Sequence, residues 1–428
     1  MERTILHCDM NNFYASCECT LHPELRGHPI AVCGSQEERH GIVLAKNELA
    51  KACGVKTGDA IWQAKQKCRG LLIVEPHYDL YLQYSKLARK IYAEYTELIE
   101  PMGLDEVWLD VTGSRLLHGD GMTIAETLRQ RIKAELGLTI SVGVSFNKIF
   151  AKLGSDLKKP DAITHIPRER YREITRPLPV GDLFGVGRAT QRALAAFGVD
   201  TIGRLADTPL SVLEYKFGKN GRTLWLNANG EDQSPVAPMD AGLPMKTAGH
   251  GTTTSRDLEN EAEVWRVMLQ LTQDLGHRLR SYGKQAWGVS VSIRDSNLSW
   301  KQWQEKLTYP TQNAGKIAEV AFELFKRGYR WHLPVRSVTV TAIDLKEQNA
   351  PLQMDLFTDT AALERQEKLD VCVESIRGRF GVMAIHPAIL CGDLPTEAEA
   401  EEGGGNSWAL LNQMKQEYAS PKRSGTAK

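Results

Sequence analysis

Two adjacent carboxylates, Asp105 and Glu106, stand at the start of an apolar stretch whose alternation predicts a β-strand. Neighbouring like charges repel, and each carboxylate raises the pKa of the other. A cation removes that cost, and hard divalent ions such as Mg²⁺ take one or two carboxylates together with substrate phosphates as ligands. Because successive strand residues point to opposite faces of a sheet, both side chains can reach one ion cluster only near a strand end, which is where this pair lies.

A third carboxylate, Asp9, ends a second strand-like run over residues 4–9. An Asp-Glu pair alone is usually surface charge, and the pairing with Asp9 on a separate strand is what favours a functional site. Three carboxylates at two strand ends predict a two-metal site for phosphoryl or nucleotidyl transfer.

Lysine residues recur on one face of the helix predicted after Ser145. Lys148, Lys152 and Lys159, together with Ser155, are three or four residues apart and therefore share a face. A solvent-exposed lysine face is the default for an amphipathic helix. The functional alternative is that at least one lysine neutralises the charge of a triphosphate, because phosphoryl transfer depends on such electrostatic clamps.

Two glycines, Gly185 and Gly187, separate helical patterns and predict the turn of a helix-hairpin-helix. Without side chains in the way, backbone N–H groups there can approach a phosphate of DNA. A bare pair of glycines is a weak signal. Arg188 adds a donor that would contact phosphates and set the register on DNA without reading its sequence.

The acidic and basic residues are positioned by strands that alternate with helices. Hydrophobic spacing predicts strands over residues 3–10, 106–111 and 139–145, and helices from about 80 to 98, from 124 to 136 and from about 147 to 157. Gly137 supplies a stop signal after the second of these helices. The alternation predicts an α/β or α+β domain with the acidic residues on one edge of the sheet.

The rest of the chain divides into further stretches. Residues 170–235 have helical patterns, and the Gly-, Pro- and Asn-rich segment 227–243 predicts a linker. Residues 247–346 then show the order strand, helix, strand, strand, helix, strand, which is a βαββαβ module. Downstream lie a helix predicted around 360–380 and a tail at 396–405 that we expect to be disordered.

Size and composition favour a multidomain cytoplasmic protein. The 428 residues suffice for about two to four domains. The sequence contains no apolar run of about 18 residues, so we expect no membrane-spanning helix. The N-terminus lacks the apolar h-region of a secretory signal peptide. The eight cysteines show no CxxC spacing, so we interpret them as reduced thiols.

The net charge of zero conceals an asymmetry along the chain. Residues 246–346 contain 15 Lys and Arg against 10 Asp and Glu, whereas residues 347–428 contain 8 against 13. A basic module followed by an acidic tail is typical of a nucleic-acid contact surface with a solvated extension.

Three segments resemble the signature motifs of Y-family translesion DNA polymerases: residues 9–18 (DMNNFYASCE), 104–112 (LDEVWLDVT) and 141–152 (SVGVSFNKIFAK). The Lys158-Lys159-Pro160 segment and the glycine hairpin follow in the family's order and spacing. The resemblance covers about residues 3–345. Among bacterial members, the chain resembles the polymerase V catalytic-subunit type and the DNA polymerase IV type. Residues 11–18 and 246–252 favour the polymerase V type.

The resemblance implies an α+β multidomain fold with the right-hand architecture of a polymerase. The implied domains are a palm (residues 1–19 and 77–167), fingers (20–76), a helical helix-hairpin-helix thumb (168–232), a linker (233–246), a βαββαβ little finger (247–346) and a C-terminal tail (347–428).

The resemblance also implies roles for single residues. Asp9, Asp105 and Glu106, with the carbonyl of Met10, would hold two Mg²⁺ ions that help to activate the primer 3′-hydroxyl and bind the triphosphate.

Tyr14 falls at the family's steric-gate position, where its ring would lie under the deoxyribose and clash with a 2′-hydroxyl. The alternative for Tyr14 is an ordinary core aromatic. Phe13 beside it, Lys159 and Lys51 would complete the nucleotide site. Lys159 matches the family's triphosphate-binding lysine, and Lys51 stands where many relatives have a phosphate-binding arginine.

The chain departs from the family pattern near this site. Gly103 replaces a serine common before the acidic pair, so a supporting hydroxyl is missing. Glu48 replaces a tyrosine that often touches the triphosphate, and we expect it to point away or to pair with Lys51 or Lys46. Two side chains are bulkier than the small roof residues of some relatives and should cover the templating base more closely, namely Ile42 and Leu44.

A further motif, the pentapeptide QMDLF at residues 353–357, resembles the clamp-binding peptide of bacterial polymerases. Leu356 and Phe357 would fill an apolar cleft while Gln353 forms hydrogen bonds. Such a tether would raise the local concentration of a weakly held polymerase at the primer end. Five-residue motifs arise by chance, so an ordinary loop is the alternative. The position after the βαββαβ module favours the sliding clamp (β subunit) as partner.

The predicted partners are therefore primer-template DNA, deoxynucleoside triphosphates, the sliding clamp and, as a further class, accessory repair proteins. The leading hypothesis is an error-prone DNA polymerase, because the sequence shows no second carboxylate-rich domain for proofreading. Two other functions stay open. A nucleotide cyclase also uses paired carboxylates on a palm-like sheet, and a non-catalytic DNA- and clamp-binding factor could keep the fold.

Overall fold

The structure is a computed structural model that describes residues 2–35, 41–239, 241, 245–350, 360–381 and 384–391. Contacts divide the chain into two compact units. The first includes the described residues 2–34 and 43–241, and the second includes those from 245 onward. The clamp-like segment 353–357 and the tail at 396–405 lie outside the described residues.

The first unit mixes strands and helices up to Ile166 and is helical from there to Ala228. Its strands are β1 (Ile5–Met10), β2 (Ile30–Cys33), β3 (Val43–Lys46), β4 (Leu72–Val74), β5 (Ile99–Met102), β6 (Glu106–Asp110), β7 (Ile140–Ser145) and β8 (Ile163–Ile166). Its helices are α1 (Phe13–Leu21), α2 (Glu48–Ala52), α3 (Ile61–Lys67), α4 (Tyr78–Ala93), α5 (Arg115–His118), α6 (Gly121–Leu136), α7 (Lys148–Leu157), α8 (Tyr171–Thr175), α9 (Arg188–Ala195), α10 (Ile202–Asp207), α11 (Leu210–Phe217) and α12 (Lys219–Ala228).

The central sheet has the strand order β5-β6-β1-β7-β8. Strand β1 lies in the middle and pairs antiparallel with both β6 and β7. In this register Asp9 lies directly opposite Glu106 on one side and Ser141 on the other. Opposed residues of an antiparallel pair have Cβ atoms about 5 Å apart, so the register itself brings the two carboxylates together.

The two faces of the sheet have different neighbours. On one face, Leu6, Cys8 and Met10 of β1 join the main apolar core, which buries side chains of α4 and α6. On the other face His7 meets α7, since its ring contacts Ser155. Asp9 follows His7 by two residues and therefore shares the face covered by α7.

Helix α7 lies unusually close to the sheet because a glycine faces it. A Cβ atom at Gly143 of β7 would lie 1.9 Å from the carbonyl oxygen of Ala151 and 2.5 Å from the backbone nitrogen of Ser155. A Cβ at Gly154 of α7 would in turn lie 3.1 Å from the Cα of Gly143. The two glycines thus allow helix backbone and strand backbone to touch, which brings the polar face of α7 close to the end of β1.

A smaller sheet, in the order β3-β2-β4, forms between α1 and α4 along the chain. Helix α2 follows β3 and begins at Asn47, whose side chain accepts a hydrogen bond from the Ala50 N–H. Helices α8 to α12 come after β8, and residues of this region share an apolar cluster with α7 that includes Phe150, Leu194 and Leu224.

The second unit confirms the predicted βαββαβ order. Its elements are β9 (Ala248–Leu258), α13 (Glu261–Ser281), β10 (Lys284–Asp295), β11 (Trp300–Thr311), α14 (Ala314–Gly328), β12 (Val335–Ile343), the short β13 (Lys346–Glu347) and α15 (Thr360–Phe380). Its sheet has the order β11-β10-β12-β9, and α13 and α14 cover one face around a core that includes Leu275, Val291 and Phe325.

Most predicted elements are found near their expected bounds, with one clear error. The helix predicted to reach residue 98 ends at Ala93, and residues Ile99–Met102 form β5 instead. Helix α6 ends at Leu136, as expected from Gly137, which adopts a left-handed backbone with φ of 67°. Within the described ranges, no helix is long and apolar enough to cross a membrane.

We expect Gly143→Ala to destabilise the first unit. The added methyl group would overlap backbone atoms of α7, so the helix must move away from the sheet. Overpacking of this kind costs about 1–3 kcal/mol, occasionally more. Thermal unfolding of the full chain should therefore show a lowered midpoint.

Gly113→Ala is the matched control, because no heavy atom lies within 4 Å of a Cβ added there. Equal shifts in the two variants would contradict the close approach of α7.

Candidate active site

The acidic residues come together at one end of β1 and β6. Asp9 is buried, with 5% of its surface exposed, and it faces Glu106 across the strand pair. The backbone N–H of Met10 donates to the carbonyl of Asp105 at 3.0 Å. This bond joins the two strand ends at the point where the three carboxylates leave the sheet.

The turn before β6 is held by two side chains of α4 that the sequence did not single out. The Arg89 guanidinium donates to the carbonyl of Gly103 at 2.9 Å, and the Ser85 hydroxyl donates to the carbonyl of Leu104. Both side chains are buried. They fix the backbone of the two residues that precede Asp105.

Gly103 itself has a φ of +88°, a conformation that L-residues with a Cβ rarely adopt. A serine at this position would therefore be strained with the backbone as it stands. The glycine at position 103 therefore suits the backbone of this turn, and its effect is not limited to the loss of a hydroxyl group.

Two lysines contact the carboxylates directly. Lys152 Nζ lies 3.0 Å from Glu106 Oε1 and 3.5 Å from Asp9 Oδ2. Lys159 Nζ lies 2.7 Å from Asp9 Oδ2. Asp156 accepts from both ammonium groups, at 3.1 and 2.9 Å. The polar side of α7 and the segment after it thus supply the positive charge that the acidic cluster lacks.

Lys148 does not join this group, although it shares the predicted helix face. Its ammonium lies 2.6 Å from Glu100 Oε1 and 4.6 Å from the centre of the Trp108 ring. It is a buried structural cation next to the core, so the basic face of α7 divides into a structural and a site-facing part.

His7 lies beneath Glu106 and is buried. Its Nδ1 is 2.8 Å from Ser155 Oγ, whose hydroxyl hydrogen is donated to the carbonyl of Lys152. Nδ1 must therefore be the donor in this contact. Burial lowers the pKa of His7 to about 4, so the ring is neutral near pH 7 and presents the lone pair of Nε2 toward Glu106 Oε2 at 3.4 Å.

The carboxylates have different proton affinities for different reasons. Burial, with repulsion from Asp9 and Glu106, raises the pKa of Asp105 to about 7. Burial also raises the pKa of Asp9 to about 6, although Lys159 opposes that rise. Burial acts in the same direction on Glu106, but the positive charge of Lys152, whose Nζ lies 3.0 Å from Oε1, outweighs it and lowers the pKa of Glu106. The cluster has a surplus of negative charge that a further cation would relieve.

In the part of the chain that the structure describes, no three His, Cys, Asp or Glu side chains converge as a metal-binding group. The ammonium of Lys152 lies between Asp9 and Glu106. The donor set nevertheless fits a hard divalent ion, because it consists of carboxylate and carbonyl oxygens. Among the described residues, Glu106 Oε2 is buried without accepting a hydrogen bond, and His7 Nε2 lies 3.4 Å from it.

The aromatic residues after Asp9 separate into two environments. Phe13 is 4% exposed and belongs to the main core, so little of its surface is open to a substrate. Tyr14 is half-buried, and its ring stacks on Tyr81 of α4 with centroids 4.1 Å apart and planes at 9°. Of the two, Tyr14 is the side chain that remains partly open to the site.

Lys51 is connected to the acidic strand through Glu48. Glu48 Oε1 lies 3.5 Å from Lys51 Nζ, which confirms the expectation that this glutamate pairs with a nearby lysine. The same oxygen accepts from the side-chain amide of Asn12 at 3.0 Å. Helix α2 is thereby tied to the loop that follows β1.

The loop that carries Lys159 is held by residues that the sequence did not indicate. The backbone N–H of Asp161 donates to Asn11 Oδ1 at 2.8 Å, and Asn11 in turn donates to Ser141 Oγ at 2.8 Å. The Asp161 carboxylate pairs with Arg129 and Lys133 of α6, each at 2.8 Å. These contacts keep Lys159 at the edge of the acidic cluster.

The glycine hairpin directly precedes α9. Gly185 has a φ of +93°, which favours glycine. A Cβ at Gly187 would meet no atom within 4 Å, and Arg188 is exposed. The backbone at the start of α9 is therefore accessible to a large partner.

Models of known protein families match three parts of the chain. The impB/mucB/samB family matches residues 8–156, and the C-terminal domain of that family matches residues 245–356. The thumb domain of DNA polymerase-iota matches residues 181–232.

Curated relatives match nearly the whole chain. The sequence is 48% identical to DNA polymerase IV of Acetivibrio thermocellus over 92% of this chain and 98% of the relative. It is 38% identical to DNA polymerase IV of Moorella thermoacetica (90% and 96%) and 36% identical to DNA polymerase IV 2 of Bacillus subtilis (90% and 93%). These relatives carry the polymerase IV name, so they favour the second of the two bacterial types suggested by the motifs, rather than the first.

A solved structure of a Y-family DNA polymerase chimera superposes with a TM-score of 0.70 at 22% identity. It covers 80% of this chain and 98% of its own length. At this identity the match concerns the fold, and it confirms the predicted fold class.

The raised pKa of Asp105 leads to a stability prediction. The pKa is about 7 in the folded state and about 3.9 in an unfolded chain. Between these values the folded state binds more protons, so the carboxyl contributes stability below about pH 4 that is lost as the pH rises to about 7. We expect Asp105→Asn, which cannot ionise, to raise the unfolding temperature of the metal-free protein more at pH 8 than at pH 5.

Melting curves in EDTA at the two pH values measure this effect. Asp110→Asn is the matched control, because Asp110 ends the strand that begins directly after Asp105 and lies 3.8 Å from the Arg3 guanidinium. It should not gain stability at pH 8. A fall in the unfolding temperature of Asp105→Asn at pH 8 would show that the ionised carboxylate stabilises the fold.

Proposed function

The chain belongs to the Y family of DNA-directed DNA polymerases, and from this membership we propose that it extends a primer 3′-end across damaged template by two-metal nucleotidyl transfer. The observation that carries the proposal is the register of β1 and β6, which places Asp9 opposite Glu106 with Asp105 at the adjoining turn. This is the carboxylate arrangement expected for such chemistry.

Asp9, Asp105, Glu106 and the carbonyl of Met10 would hold two Mg²⁺ ions. When bound, these ions supply an activated primer hydroxyl and stabilise the charge on the leaving pyrophosphate. The protein's own Lys152 bridges Asp9 and Glu106 and so adds positive charge to the carboxylate cluster. Release of Lys159 from Asp9 would leave its ammonium free to bind a triphosphate.

Substrate choice would rest on Tyr14. We propose that its ring lies under the deoxyribose of the incoming nucleotide and clashes with a 2′-hydroxyl, which excludes ribonucleotides. Its stacking on Tyr81 supports this role, because a gate must be rigid to reject one extra oxygen atom. Lys51, tied to the site through Glu48, would bind phosphate, and Phe13 would support the ring from the core.

DNA would be held by sequence-independent contacts. Gly185, Gly187 and Arg188 offer backbone and guanidinium donors to phosphates, and the excess of Lys and Arg over residues 246–346 supports a DNA-contacting role for the second unit. We propose the palm, fingers, thumb and little-finger bounds given above for these modules, together with synthesis without proofreading, in the bacterial cytoplasm.

Primer extension with Mg²⁺ tests the proposed function. We expect the intact protein to extend a primer on undamaged and lesion-containing templates. Asp105→Ala should lower the rate by at least about 1,000-fold, because it removes a group that stabilises the transition state, and substrate binding alone does not accelerate the transfer. Glu135→Ala, a carboxylate paired with Arg131 on the surface, is the control and should extend normally.

No extension by the intact protein would favour a non-catalytic DNA-binding factor. Release of a cyclic nucleotide without any primer would favour a cyclase. Both outcomes would overturn the polymerase proposal.

Recruitment by the sliding clamp has its own test. We propose that Gln353, Leu356 and Phe357 bind the β clamp, although they lie outside the described residues. Replacing both Leu356 and Phe357 by alanine should lower clamp-stimulated synthesis by roughly tenfold or more and leave clamp-free synthesis unchanged. Equal losses with and without the clamp would contradict this partner.

A further inference from the structure

The stacked pair of Tyr14 and Tyr81 is fastened to a buried carboxylate. Tyr81 is fully buried in α4, and its hydroxyl donates to Glu18 Oε1 of α1. Glu18 is fully buried as well. Because Glu18 follows Tyr14 by four residues in the same helix, the ring and the carboxylate lie one turn apart on one face of α1.

The Glu18 carboxylate accepts hydrogen bonds from both Tyr81 and His77. In addition to the Tyr81 hydroxyl, the backbone N–H of His77 donates to it at 3.3 Å, and His77 Nδ1 lies 3.0 and 3.1 Å from its two oxygens. The same N–H of His77 lies 3.1 Å from the Tyr81 oxygen. Burial of a charged carboxylate costs desolvation free energy unless hydrogen-bond partners compensate for it. All the partners named here come from the start of α4.

The geometry fixes the ring of Tyr81 in two directions. Its hydroxyl is held at Glu18, and its face lies parallel to Tyr14 at 4.1 Å. Tyr78 meets both rings edge-on, with centroids 6.0 Å from Tyr14 and 5.8 Å from Tyr81. Tyr14 is therefore supported from below and from the side, and it cannot tilt toward Tyr81 without displacing a ring that is hydrogen-bonded at its far end.

We propose that Glu18 and Tyr81 are positioning residues for sugar selection, which hold the Tyr14 ring at the height at which it rejects a 2′-hydroxyl. This inference rests on the proposed role of Tyr14 in the nucleotide site. A ring that could move away from the sugar would leave room for the extra oxygen. The anchor therefore acts on discrimination between sugars more than on the rate with the correct substrate.

The test is single-nucleotide insertion by the full-length protein with Mg²⁺, in which kcat/KM is measured for a deoxynucleotide and for the matching ribonucleotide. We expect Tyr14→Ala to lower the ratio the most. Tyr81→Leu removes the stacked ring and should lower the ratio by roughly tenfold, while Tyr81→Phe and Glu18→Gln keep the stack and should lower it by about threefold. Insertion of the deoxynucleotide should change less than the ratio in all three.

Tyr92→Phe is the matched control. Tyr92 is a buried tyrosine of the same helix, and its hydroxyl has no hydrogen-bond partner among the described residues. This variant should keep the wild-type ratio. Unfolding temperatures of all variants show whether any loss reflects folding, and Glu18→Gln, which conserves shape, keeps the test open if Tyr81→Leu does not fold.

The outcomes separate the anchor from the gate. Relaxed selection in Tyr14→Ala with wild-type ratios in Tyr81→Leu, Tyr81→Phe and Glu18→Gln would overturn the anchor and leave the gate intact. Parallel losses for both sugars would likewise assign Glu18 and Tyr81 to folding alone. An unchanged ratio in Tyr14→Ala would overturn the gate and, with it, the inference drawn from it.

Discussion

The repulsion among three carboxylates at one strand end is the constraint on which the site depends. Asp9 and Glu106 are opposed by the register of β1 and β6, and Asp105 adjoins them, so the sheet concentrates negative charge where water is partly excluded. Burial first, and repulsion between the carboxylates second, raise the pKa values of Asp9 and Asp105. A protein tolerates such a cluster when its charge is needed for a ligand, and it must supply counter-charge while the ligand is away.

Helix α7 supplies this positive charge, and it can do so only because its backbone packs closely against the sheet. The helix carries Lys152 over the carboxylates only because Gly143 and Gly154 let its backbone touch β7. The same approach seats Ser155 on His7 and keeps that ring neutral beneath Glu106. The motif over residues 141–152 thus combines a packing requirement at Gly143 with an electrostatic one at Lys152.

The sequence predicted the parts of the fold that have a strong local period. The βαββαβ module was found because its strands and helices are long, and α6 because Gly137 ends it. Strand β5 was missed because the helical period of α4 continues past Ala93, and because a four-residue edge strand containing Pro101 has little pattern of its own. Strands β2 to β4 have only three or four residues each, too few for a period that predicts them.

The sequence likewise predicted the residues of the site but not the contacts that hold them. Asp9, Glu106 and Lys159 are predicted to act together, and the structure pairs Lys159 with Asp9 and places Asp9 opposite Glu106. Lys148 shared the same helical face and yet pairs with Glu100, because a face as wide as that of α7 spans both core and site. Glu18 and Tyr81 are separated by 63 residues, and no local period can reveal such a pair.

Helix α4 then connects the two selective parts of the site. Its Tyr81 supports the ring of Tyr14, and one and two turns further along, Ser85 and Arg89 hold the turn that precedes Asp105. The spacing of four residues places the three side chains in succession on one face of the helix. A shift of α4 would therefore move the Tyr14 ring and the backbone of the turn before Asp105 together. We therefore propose that this one helix controls both the position of the Tyr14 ring and the alignment of the carboxylates.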